Sequence, residues 1–179
     1  MSDQTVRTAA SSGMTPVQGL MTLGAVVVVL AIFIAGSMFL GLHDLWAGFL
    51  FLLCWASFEH AAADKLFGCA AGAAFGLLLA WSMKLFPGWF GDAGLMVFVG
   101  VLLIVVYMQI MQWAKTLVNA TAMLYLTVGV IPMVNAETQF TSAFLVLALA
   151  IAYFGGLMTT MRVVGDRRAA AQPSSLLRR

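Results

Sequence analysis

Four ionisable residues, Glu59, His60, Asp64 and Lys65, stand close together in a chain that is otherwise mostly apolar. An imidazole beside a carboxylate can relay a proton or hydrogen-bond a polar solute. His60 and Asp64 are four positions apart, so a helix continuing through them sets both on one face, able to pair. Ionisable groups at membrane depth are costly and usually functional. The other reading is a solvated cytoplasmic loop whose charges face water and headgroups. The preceding apolar run, LWAGFLFLLCWASF, bears on the choice. As a helix it covers about 21 Å, short of the ~30 Å hydrocarbon thickness. Either the helix continues towards Ala63 or the loop dips inward, and both draw Glu59 and His60 towards the membrane interior.

A second polar set is Gln109, Gln112, Asn119, Thr121 and Thr127. These side chains could line a polar path, or could bond between helices and hold them together. Asn119-Ala120-Thr121 matches a glycosylation acceptor in form, but it lies at a cytoplasmic span edge and is discounted. The methionine pairs Met108/Met111 and Met158/Met161 have the spacing to share a face and offer thioethers to Cu(I). Methionine is also an ordinary packing residue, and no metal or cofactor is expected. Two histidines cannot build a multi-histidine oxygenase centre. With no nucleophile elbow, zinc-helix motif or phosphate-binding loop, the chain does not read as an enzyme.

Positioning these groups falls to helices of a membrane protein. Of 179 residues, 63% are hydrophobic and 9% charged, and the net charge is +2. The basic residues form no nucleic-acid footprint, and Cys54 and Cys69 do not make a disulfide framework. Gly68, Gly72, Gly76 and Ala80 fall at every fourth position, one face of a helix. Such a ladder lets another backbone approach closely within lipid. Ala148, Ala152, Gly156 and Thr160 repeat the spacing. The ladder is either packing alone or a support that holds the charged cluster beside a pathway.

Hydropathy divides the chain into residues 1–16, a mobile cytoplasmic N-terminus that is not a cleavable signal; 17–164, a transmembrane domain; and 165–179, a basic cytoplasmic tail. The domain reads as an all-α polytopic bundle of six transmembrane helices. The third span is expected over about 66–85, ended by FPGWFGD. The fourth covers 93–113, with Gln109 and Gln112 in its last turns, the fifth 116–134 and the sixth 140–161. Six spans put eight basic residues, among them Arg7, Lys65, Lys115 and Arg162, on one side and Lys84 alone on the other. That asymmetry places both termini in the cytoplasm. The echo between the third and sixth spans suggests an inverted 3+3 repeat.

WAGFL (46–50), followed by KLFGCAAGAAFGLLLAW, resembles the small bacterial inner-membrane proteins of the YcdZ type, a domain-of-unknown-function family. The resemblance implies a bacterial inner-membrane location and a multispan helical fold. It transfers no functional residue. The expected function is a channel or transporter for a small polar solute, working as a homo-oligomer in the lipid bilayer. The alternative is a non-transporting subunit that binds another membrane protein through its small-residue helix faces.

Overall fold

The computed structural model describes residues 16–58 and 63–171, and among them it is helical with no strand. The helices are α1 (Pro16–Phe39), α2 (Trp46–Phe58), α3 (Leu66–Phe90), α4 (Gly94–Ile110), α5 (Ala120–Gly129), α6 (Pro132–Glu137) and α7 (Phe140–Ala171). Among the described residues three stretches are long and apolar enough to cross a membrane: Gly19–Phe39, Leu66–Ile110 and Phe140–Val164. Two shorter apolar helices cover Trp46–Ser57 and Ala120–Gly129.

The chain forms two units, Met1–Gly36 and Ser37–Arg179. The first holds most of α1, an apolar helix with Leu23, Val27 and Ile32 exposed. The second is built on α3, which touches α2, α4, α5, α6 and α7. Small residues explain that centrality. A face of Gly72, Ala73, Gly76 and Ala80 is buried, and its lack of bulk admits neighbours at backbone distance.

The stretch 66–110 is about 67 Å of helix if straight, twice a bilayer core, and it folds back on itself. The turn is not where FPGWFGD suggests. α3 runs on through Pro87 and Gly88 to Phe90, and reversal comes at Gly91, whose φ is +55°. Glycine is suited to that left-handed geometry. Gly94 then seats against the α3 backbone, where a Cβ would come 2.5 Å from Pro87 Cα. The hairpin closes over Leu79, Phe98 and Val105, joined by Val118 and Leu126.

Three further boundaries differ from the sequence reading. α4 stops at Ile110, and Gln112 sits in the following turn with φ +56°. α5 is a ten-residue helix, because Asn119 caps it late and the chain breaks at Val130–Ile131 before Pro132 starts α6. α7 continues to Ala171, beyond both the expected end of the sixth span and the expected start of the tail. On α7, Phe140, Ala143, Val146, Leu147, Ala150 and Phe154 are buried, a stripe at helical period. Trp81 stacks on Phe140 at 6.1 Å and meets Phe144 edge-on.

Candidate functional site

Two polar features arise from this packing: a filled seam along α3 and α5, and an open cleft at one end of α2. The seam begins at Asn119. Its Oδ1 accepts the Ala122 N–H at 3.0 Å, capping α5, while Nδ2 donates to Gly68 O at 2.8 Å and Thr116 O at 3.1 Å. The side chain occupies the space that a Cβ on Gly72 would need. One turn along, Gly76 lies against the Ala122 carbonyl, and Ala80 against Gly129. Asn135 closes the far end, its Nδ2 donating to Ala80 O at 3.0 Å and Gly129 O at 2.9 Å. Asparagines at both ends of α5 thus tie it to carbonyls on α3.

Between them, α2 joins the seam. Cys69 Sγ lies 3.5 Å from Thr121 Oγ1, and Cys54 also reaches that hydroxyl. Both thiols are buried and unbridged. Tyr125, wholly buried, donates its hydroxyl to Ala47 O on α2. Removing that hydroxyl leaves a buried carbonyl short of a donor. Tyr125→Phe is expected to cost about 1–2 kcal/mol, read as a lower thermal midpoint in detergent with unchanged helix content.

The cleft lies where the loop before α2 meets α6 and the loop after it. His43 N–H reaches Ser142 Oγ at 3.4 Å, and Lys84 Nζ reaches Ala136 O at 3.4 Å, so the 42–45 and 131–139 segments are brought to one end of the unit. The space between is about 390 Å³, lined by His43, Asp44, Leu45, Trp46, Glu137 and Thr138, with Val134 beneath. Trp46 is also a wall of an apolar groove of about 470 Å³ formed by Phe49, Leu50, Leu53 and Val128. Its buried indole N–H has no acceptor among the described residues.

The residues singled out in the sequence are not gathered at one place. Glu59 and His60 lie outside the described residues. Asp64 is exposed in a 3-10 turn, Ala63–Lys65. Asn119 and Thr121 belong to the seam, bonded to α3 and not lining an open path. Thr127 is exposed and bonds back to Met123 O within its own helix. Gln112 bonds Gln109 O, and Gln109 Oε1 is buried without a donor. Gly72, Gly76 and Ala80 pack against α5 or its cap, whereas a Cβ on Gly68 would meet nothing within 4 Å. Ala148, Ala152 and Gly156 lie on the exposed side of α7. Among the described residues no group of three or more metal-ligating side chains forms.

Sequence reasoning missed the cleft. The available signal was that His43, Asp44 and Glu137 fall, in the six-span reading of the sequence, on the side poor in basic residues. No protein family, curated protein or solved structure matches this chain. Its class rests on the helices themselves: an all-helical protein with segments apolar enough to lie in a membrane.

Proposed function

We propose that this chain is a six-span protein of the bacterial inner membrane, related to the YcdZ type, that passes a small polar solute. The observation that carries the reading is an exchange of partners between helices. α3 packs on α5, and α7 packs on α2. In an inverted 3+3 repeat the second span corresponds to the fifth and the third to the sixth. A two-fold relation then turns the α3–α5 contact into the α7–α2 contact. The corresponding elements α2 and α5 are also the two short ones, 13 and 10 residues. Short or interrupted segments at matching positions of two halves are the pattern expected where a transporter holds its solute. The cleft opens at the end of one of them.

The topology is testable first. The segment before α2 that holds His43, the Lys84 turn of α3 and the end of α6 lie at one end of the unit, in keeping with one face of a membrane. Reporter fusions after Lys65, Lys115 and Arg168 are expected to read cytoplasmic, and those after Gly88 and Glu137 periplasmic. A periplasmic signal after Lys115 would remove the six-span arrangement. Solute uptake into proteoliposomes above protein-free vesicles tests transport itself.

A specific observation favours the second reading, a non-transporting subunit. The small residues Ala148, Ala152 and Gly156 line an exposed side of α7, and no atom stands within 4 Å of a Cβ built on Gly156. Such a face suits another helix, from a second copy or another membrane protein. Absence of uptake together with stable co-purification of one partner, abolished by Gly156→Leu, would favour it.

A further inference from the structure

Two thiols that the solute-passing reading does not use converge inside the second unit. Cys54 comes from α2 and Cys69 from the start of α3, and they are the two cysteines of the chain. Cys69 Sγ lies 3.5 Å from Thr121 Oγ1, and Cys54 reaches the same hydroxyl from its own helix. All three residues are buried, Cys54 wholly so. We propose that Cys54 and Cys69 form a two-coordinate site for Cu(I), held between their sulfurs, with the Thr121 hydroxyl donating to one of them. The site goes beyond the solute-passing reading and stands or falls without it.

Donor chemistry selects the ion. Thiolates prefer soft cations, and Cu(I), with its filled d shell, accepts two ligands in a line. Zinc asks for four ligands, and calcium and magnesium for six or more oxygens. Among the described residues no third metal-ligating side chain joins the two thiols, so neither demand is met. A linear bridge holds its sulfurs about 4.6 Å apart, twice a metal–thiolate bond of ~2.3 Å. Sulfurs that share one hydroxyl lie within the span of two hydrogen bonds, which is the same scale.

Charge must also be met. Each Cu(I) bound as the dithiolate releases two protons, transfers no electron and leaves one negative charge, which a buried seam disfavours. Thr121 is the second residue of α5, so the sulfurs lie beside the first turn of that helix, where a thiolate is stabilised. The Thr121 hydroxyl can turn its proton towards a sulfur as well. The helix ends give a way in. Cys69 is in the first turn of α3, and beside it nothing stands within 4 Å of a Cβ built on Gly68.

The test uses the full chain, reduced and anaerobic in detergent, with Cu(I) supplied as its bathocuproine disulfonate complex. Wild type is expected to withdraw one Cu(I) per chain. X-ray absorption at the copper edge should show two sulfur neighbours and no others, a reading that needs no variant. Cys54→Ser and Cys69→Ser should each abolish withdrawal, because a hydroxyl is a poor ligand for a soft cation. Thr121→Val keeps both sulfurs and should weaken binding about 10–100-fold, as loss of a partner to a metal's ligands does. Met158→Leu with Met161→Leu should bind like wild type, and excess Zn(II) should displace nothing. Thermal midpoints of the metal-free proteins check that each variant folds. Failure of reduced wild type to withdraw copper overturns the proposal, as does binding that a folded cysteine variant retains or the methionine variant loses. A third neighbour at the metal, or displacement by Zn(II), equally overturns it. Solute uptake into proteoliposomes bears on the transport reading alone.

Discussion

Adding a single methyl group at Gly76 is expected to abolish stable folding of the helical unit. A Cβ there would collide with the carbonyl oxygen of Ala122 and stand 2.8 Å from Tyr125 Cβ. The first obstacle is backbone inside α5, and the second is the base of a wholly buried tyrosine. Neither can rotate away, so α3 and α5 must separate along their length. Overpacking of this kind costs about 3 kcal/mol or more where the backbone must shift. Separation would also strain the Asn119 and Asn135 bonds to α3. Gly76→Ala should therefore lose the monodisperse peak in detergent that wild type retains. Gly156→Ala and Gly68→Ala are the controls. A Cβ meets nothing at either position, so alanine's helix preference should leave stability equal or raised by about 0.5–1 kcal/mol. If Gly76→Ala matched these controls, α3 and α5 would not be packed as described.

The second large effect is expected at Gly72 and Asn119, and its signature is coupling. Asn119→Ala removes the α5 cap and two bonds to carbonyls, one of them on α3, a loss of about 2–3 kcal/mol. Gly72→Ala drives a methyl group into the same asparagine side chain and should cost a similar amount. Once Asn119 is truncated, the obstacle is gone. The double variant is therefore expected to be less destabilised than the sum of the singles, by about 1–2 kcal/mol. Gly76 offers no such rescue, since its obstacle is the Ala122 carbonyl. Thermal midpoints of the four proteins in one detergent measure the cycle. Strict additivity would show that the asparagine does not sit on Gly72.

The glycine ladder was legible as a packing face because its four-residue spacing is a property of one helix. Its partner was not legible. α5 is recognised only through Asn119, and a capping asparagine looks the same in sequence as one lining a path. Pro87 and Gly88 resemble a helix end, yet α3 passes them because Gly91 takes the reversal and Gly94 lets the returning chain touch Pro87. The second ladder has the spacing of the first but lies on the exposed side of α7. Spacing gives a face but not its direction, and Val146, Leu147 and Ala150 turn α7 the other way. The cleft was hidden because its walls are distant in sequence: His43 and Ser142, which draw them together, are 99 positions apart. Such pairing is a result of helix packing and leaves no local pattern to read.

The contact between Asn119 and Gly68 spans 51 residues, and this has a consequence during synthesis. At about 5–20 residues per second, α3 leaves the ribosome roughly 3–10 s before the helix that completes it. Throughout that interval the face of Gly72 and Gly76 lacks α5 and is open to any other helix that meets it. α5 arrives as ten residues, too few to span the hydrocarbon unaided, with Thr121 and Tyr125 to shelter. Its docking therefore depends on α3 waiting unoccupied. Biogenesis of this protein is a race between the arrival of α5 and capture of the open face by the wrong partner, and slowing translation after residue 90 should lower the yield of folded protein.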